Sequence, residues 1–164
     1  MIEFKVSYNI DDYSSLKEKL YSDFGSPFIE TIEYWCENRE NNYTGKFWQL
    51  WIIYQDDILV GVCGLYSLKE TIDELWLGWF GILPEYRNMN IGSEVLTEIK
   101  RKSIGFGSKR IYSYVDKEGR PLPFYYRNGF TRMCTVQEYL ESNGMYERED
   151  FESLEDHVIA INIS

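Results

Sequence analysis

The chain has 164 residues, 44% hydrophobic and 17% aromatic, a size and composition that predict one globular domain over residues 1–164 with a core of ordinary size. Its formal net charge of −10 argues against nucleic acid as a partner, because affinity there comes mainly from Lys and Arg neutralising phosphates. There is no basic-then-apolar leader and no apolar run near the roughly 20 residues that span a bilayer, and three cysteines without metal-ligand spacing beside a lone histidine, His157, fit a cytoplasmic protein without membrane or metal.

In chain order, residues 2–9 alternate as a first strand. Asp11 and Asp12 are placed to cap a helix with Tyr13, Leu16, Leu20 and Phe24 on its apolar face, ended by Gly25. Ser26-Pro27 opens a second helix that buries Phe28, Ile29, Ile32, Trp35 and Cys36 and dissolves in the polar run 37–42. Residues 47–54 and 58–66 read as a hairpin joined by Gln55-Asp56-Asp57. A long third strand, 73–83, contains Gly78 and Gly81, which mark a bulge or a close backbone approach. A helix from Ile91 has Val95, Leu96 and Ile99 on one face, Glu94 in its first turn and Lys100 to Lys102 near its end, and stops at Gly105 and Gly107. A strand at 111–115, a short helix at 121–128, and strands at 130–137 and 158–163 complete the order. That order, β-α-α-β-β-β-α-β-α-β-β, describes a mixed α/β sheet and not a doubly wound one.

The segment Pro84 to Ser93 joins the long strand to the helix from Ile91. The first turn of such a helix presents backbone N–H groups without internal partners and a partial positive charge, so a phosphate or pyrophosphate sits there without a basic side chain. Arg87-Asn88-Met89-Asn90-Ile91-Gly92 resembles motif A of the GNAT superfamily of acetyl-CoA-dependent N-acetyltransferases, Arg/Gln-x-x-Gly-x-Gly/Ala, with Asn90 in place of its first glycine. Downstream, Phe124-Tyr125-Tyr126-Arg127-Asn128-Gly129-Phe130 is similar to the family's Phe-Tyr-x-x-x-Gly-Phe segment.

The resemblance implies the acyl-CoA N-acyltransferase fold: a mixed, mostly antiparallel central sheet splayed between strands 4 and 5 and flanked by helices. It implies acetyl-CoA as co-substrate, its pantetheine arm paired with the backbone of Phe80, Gly81 and Ile82. The pyrophosphate would rest on the N–H groups from Asn88 through Met89, Asn90, Ile91 and Gly92 to Ser93, with Arg87 beside it. Homodimers are common in the superfamily. Asn tolerates positive φ, so Asn90 lets the turn form. At Glu118 and Pro121 the chain departs from the family, so a cofactor contact from an asparagine at 118 does not carry over, and Arg120 is the electrostatic substitute.

Acetyl transfer to an amine needs a free amine, a polarised thioester carbonyl and a proton for the leaving thiolate. Glu74, thirteen residues before Arg87, is the candidate base, with Asp73 as its competitor; Tyr125 is the candidate acid, and a backbone N–H near Ile82 the carbonyl polariser. Tyr126, its neighbour, should face elsewhere. Eight acids between Glu138 and Asp156 against one Arg favour a cationic acceptor amine, and Tyr34 and Trp35 are placed to line the same pocket. No cysteine sits at a nucleophile position, although Cys134 is near enough to test, so transfer is expected to be direct, in a ternary complex. A protein N-terminal or lysine acetyltransferase and a non-catalytic acyl-CoA-binding module are the alternatives.

Overall fold

The structure is a computed structural model that describes residues 1–38, 48–68, 74–145 and 153–163. Seven strands form one sheet in the order β1-β2-β3-β4-β5-β7-β6. They are β1 (Ile2–Lys5), β2 (Trp48–Gln55), β3 (Ile58–Ser67), β4 (Leu75–Ile82), β5 (Arg110–Val115), β6 (Thr131–Thr135) and β7 (His157–Asn162). Every neighbouring pair is antiparallel except β4 and β5. This is the mixed sheet that the element order predicts, mostly antiparallel as the family resemblance implies.

The helices are α1 (Ser14–Lys19), α2 (Tyr21–Phe24), α3 (Ser26–Glu37), α4 (Ile91–Gly105), α5 (Leu122–Arg127) and α6 (Val136–Ser142). The first differs from expectation at its start. Asn9, not Asp11 or Asp12, is the cap: its side chain accepts from the Asp11 N–H at 3.1 Å and opens a 3-10 turn over Ile10–Tyr13. The predicted helix then breaks at Leu20 into α1 and α2. The strand predicted over 130–137 stops at Thr135, because a capping box forms there. Thr135 accepts from the Glu138 N–H, and the Glu138 carboxylate accepts from the Thr135 N–H, at 3.1 and 2.8 Å. The predicted strand starts at Phe47 and Asp73 fall outside the described residues.

The sheet is covered on both faces. On one face α4 and α5 pack Val95, Leu96, Ile99 and Tyr125 against Leu65, Leu75, Leu77 and Ile159. On the other, α1 to α3 bury Leu16, Leu20, Phe28 and Ile32 over Leu50, Ile52 and Val62. At the far end of that second face α6 covers Trp76, Tyr112 and Val158. Among the described residues no helix is long and apolar enough to cross a membrane. The parallel pair β4–β5 has only two rungs, Leu75–Ile111 and Trp76–Tyr112. Beyond them the strands part, and the sheet opens.

Candidate active site

The opening is shaped by a bulge in β4. Gly64 pairs with Gly78 and Val62 with Gly81, so β4 carries an extra residue against β3. The left-handed residue there is Trp79, at φ +50°, and not one of the glycines. A bulky residue in that region costs about 1–3 kcal/mol and survives only where packing fixes it. Here the Trp79 ring is held 5.4 Å from both Phe24 and Phe28. The bulge reverses the phase of the strand. Leu75 and Leu77 face the α4 side before it, whereas Phe80 and Ile82 face that side after it. The glycines predicted from sequence serve clearance instead. A Cβ on Gly78 would lie 2.8 Å from the Tyr66 ring, and one on Gly81 would lie 2.9 Å from Phe24.

After β4, Pro84–Tyr86 makes a 3-10 turn, and Asn88 and Asn90 both adopt left-handed conformations, at φ +61° and +63°. Asn90 is the N-cap of α4 and makes no side-chain cap bond, so the turn is closed by its backbone alone. A Cβ on Gly92 would sit 3.2 Å from the Phe124 ring, which fixes the approach of α4 to α5. The Arg87 side chain is already engaged. Its Nε donates to the Ile82 carbonyl at 2.9 Å, and its terminal nitrogen pairs with Asp23 at 2.6 Å. Lys19 and Glu85 make a second ion pair between the same regions.

The open sheet and this turn line one cleft of about 1870 Å³. That exceeds the roughly 300–1,000 Å³ of a site for one drug-sized ligand. Of the residues predicted for the site, Phe80, Gly81, Ile82, Arg87, Asn88, Asn90, Ile91, Gly92, Ser93 and Tyr125 line it together. Met89 does not: its side chain is exposed. Arg120, Arg127 and Asp116 also line the cleft. Helices α2 and α3 supply Asp23, Glu30 and Tyr34, the strands supply Trp48, Tyr66 and Trp79, and the segment before β7 supplies Asp156, beside Asp116 where β7 meets β5. Trp35 belongs to the core, where its Nε1–H donates to the Ser7 carbonyl at 2.9 Å.

Tyr125 lies in the cleft wall, buried, with Phe80, Phe124 and Phe130 around its ring. Burial pushes its phenol well above the ordinary tyrosine range, the Cys63 thiol adds to the rise, and a hydrogen bond with Ser113 opposes it. The phenol therefore stays protonated at neutral pH. Tyr126, one residue on, is exposed. None of the three cysteines lines the cleft, and burial alone pushes the Cys63 thiol far up.

Glu74 stands elsewhere. It lies just before β4, at the closed end of the strand, where its carboxylate accepts from Tyr139 at 2.6 Å and from Tyr112 at 3.3 Å. It borders a separate depression of about 330 Å³ with Lys109 and Arg110 and does not line the large cleft. Ser67, which pairs with the next residue Leu75, does line it. The competitor of Glu74, Asp73, is outside the described residues. So are Glu147, Glu149, Asp150 and Glu152 of the acidic segment. Of the described acids there, Glu138 caps α6, Glu141 accepts from Gln137, Glu155 pairs with Lys117, and Asp156 reaches the cleft.

Sequence reasoning missed Glu30, Tyr66 and Ser113 as cleft residues. The first two sit in a helix face and a strand end that carry no motif, so no local signal marked them.

The family model of the acetyltransferase (GNAT) family matches residues 13–130. The chain belongs to that family, and the protein is an acetyltransferase. No curated protein matches the sequence. Among solved structures the chain is similar to a GNAT-family acetyltransferase from Staphylococcus aureus, at 21% identity and TM-score 0.68, covering 100% of both chains. It is also similar to PaiA N-acetyltransferase from Thermoplasma acidophilum in complex with coenzyme A, at 18% identity, TM-score 0.62 and 99% of both chains. A spermidine N-acetyltransferase chimera from Vibrio cholerae and hSSAT aligns at 13% identity and TM-score 0.71, over 99% of this chain and 95% of the other.

Proposed function

We propose that the protein moves an acetyl group from acetyl-CoA directly to the primary amine of a small cationic acceptor, within a ternary complex. The observation that carries this is a single cleft that joins the turn from Asn88 to Ser93, with Arg120 and Arg127, to the carboxylates Glu30 and Asp156 and the rings of Tyr34, Trp48, Tyr66 and Trp79. The turn and its arginines attract an anionic donor, the carboxylates attract a cationic acceptor, and aromatic faces add attraction for an ammonium group. The spermidine enzyme among the structural relatives acts on such a molecule.

The donor's long arm has an edge to pair with, because β4 beyond Trp76 has no rung to β5. Its phosphates meet the turn from Asn88 to Ser93 and the N-terminus of α4. The N–H groups after the bulge face developing charge on the thioester oxygen. Tyr125 gives its proton to the departing thiolate. A base must reach its proton directly or through one water, and Glu74, bonded to Tyr112 and Tyr139, gives way here to carboxylates that line the cleft. We assign loss of the ammonium proton to water held by the cleft carboxylates Glu30 and Asp156.

The test is acceptor-dependent release of CoA from acetyl-CoA across polyamines, aminoglycosides, amino acids and short peptides, beside Tyr125→Phe. Release with a polycation, lowered roughly 10²- to 10⁴-fold in kcat by the variant, is expected. Release with peptides alone would make the protein a peptide or protein acetyltransferase. CoA binding without release from any acceptor would make it a non-catalytic acyl-CoA module.

A further inference from the structure

The gap between β4 and β5 has a direction. β4 runs from Leu75 to Ile82 and into the turn that opens α4, so the turn proposed to take the phosphates lies beyond Ile82. The other end is closed by the rungs Leu75–Ile111 and Trp76–Tyr112. One step past the last rung, Leu77 and Ser113 do not pair in the ladder. Instead the Ser113 hydroxyl crosses the gap and donates to the Leu77 carbonyl at 3.2 Å. Both residues are buried, and both line the cleft. Leu77 is held from behind by its pairing with Leu65 on β3. Rings flank this end on both faces. Tyr66 stacks on Trp76 and lies so near Gly78 that a Cβ there would sit 2.8 Å from its ring, while Phe80 and Tyr125 pack together on the α4 side.

A linear molecule anchored by its phosphates at the turn and paired along β4 points its other end at this closure. Its length decides how near it comes. From Ile82 back to Leu77 is five strand steps, about 16 Å. The arm of coenzyme A has about twelve bonds from phosphate oxygen to sulfur, the backbone length of about four extended residues, roughly 13 Å. About 3 Å is left beyond the sulfur, enough for a carbonyl carbon and one methyl.

We propose that Ser113 is the end-stop of the donor slot: its hydroxyl, clasped to the Leu77 carbonyl, limits the acyl group to two carbons and selects acetyl-CoA over longer acyl-CoA donors. This rests on the donor lying along β4, as read above, and not on the identity of the acceptor. A hydroxyl oxygen fills about the space of one methylene, and a packed interior registers a change of that size. Removing the oxygen therefore exchanges one atom of protein for one of ligand.

The experiment is calorimetric titration with CoA, acetyl-CoA, propionyl-CoA and butyryl-CoA, which needs no acceptor, on wild type, Ser113→Ala and Ser113→Thr. Thermal melts of the variants come first. If alanine unfolds below the assay temperature, threonine decides by its split between acetyl-CoA and CoA. In wild type, acetyl-CoA should bind within about threefold of CoA, and propionyl-CoA roughly 10- to 100-fold more weakly. Ser113→Ala should bring propionyl-CoA to within about threefold of acetyl-CoA, hold the Kd for CoA within about twofold and leave butyryl-CoA weak. Ser113→Thr adds a methyl at the stop and should weaken acetyl-CoA roughly 10-fold while CoA again holds within about twofold. Equal affinity of wild type for acetyl-CoA and propionyl-CoA would overturn the proposal and leave the donor site standing. A loss in Ser113→Ala shared equally by CoA and all three acyl-CoA molecules would overturn it too, since that is what a structural clasp gives. Failure of CoA itself to bind wild type would remove the donor reading, and the end-stop with it.

Discussion

Gly61→Ala is the sharpest perturbation of the cleft made at a residue outside its lining. A methyl at Gly61 would lie 2.4 Å from the Gly81 carbonyl oxygen, 3.3 Å from its carbon and 3.1 Å from the Ile82 side chain. The first two are backbone, so no rotamer relieves them, and β4 must move outward by about 1 Å to restore contact distance. Overpacking of this kind costs about 1–3 kcal/mol. For a chain of this length each kcal/mol moves the melting temperature about 2–4 °C, so a fall of roughly 2–12 °C is expected. The displaced residues, Gly81 and Ile82, are the ones whose free edge faces the cleft. A shift of that size takes an N–H···O bond out of range. Losing one or two such bonds to the ligand, about 1–2 kcal/mol, weakens CoA roughly 5- to 30-fold. Thermal melts and calorimetric titration with CoA measure both effects. A variant that melts within a degree of wild type and binds CoA equally well would refute the close fit of β3 on the bulge and the role of that edge.

Gly105→Ala should act in the opposite sense: no atom lies within 4 Å of its added methyl, at the end of α4, so a gain of about 0.4–1 kcal/mol is expected in urea denaturation. Asn90→Val, at φ +63°, should cost about 1–3 kcal/mol and weaken CoA, whereas Asn90→Gly should keep or tighten binding by calorimetry. Cys63 gives a pH signature. Its thiol is raised by burial, so it favours the folded state fully below its unfolded value, about 8.5, and that contribution is lost as pH rises. Between pH 9 and 10 wild type should lose about 1.2 kcal/mol more than Cys63→Ala. Equal slopes in denaturant titrations at the two pH values would refute that burial.

Much of the architecture was legible because it is written locally. The apolar periods of α3 and α4, the turn at Gln55–Asp57 and the polar run into Ile91 each carry their own signal, and their order sets the sheet. The left-handed tolerance of asparagine located the turn at Asn90 without its glycine. The left-handed residue in β4 was not legible, since nothing in a tryptophan announces φ +50°; its cause lies in Phe24 and Phe28, more than fifty positions upstream. The spacing that nominated Glu74 carried no sign of its partners, two tyrosines from β5 and α6 that take its carboxylate at the paired end of β4. Arg87 was assigned to phosphate from its motif position, while Asp23, on a distant helix, holds it. The end of β6 was readable after all: Thr135-Val136-Gln137-Glu138 is a capping box in plain sequence.

The two-rung join of β4 and β5 has a consequence for how the molecule responds to its surroundings. A sheet that stops pairing in its middle is an unfinished object, and a molecule that supplies the missing strand completes it. Such a molecule binds the folded chain and not the unfolded one, so its free energy of binding is added to that of folding, about 2.7 kcal/mol at a hundredfold excess over Kd. The melting temperature of this protein is then a gauge of how much of that molecule is present, and its lifetime against proteolysis rises and falls with the same supply.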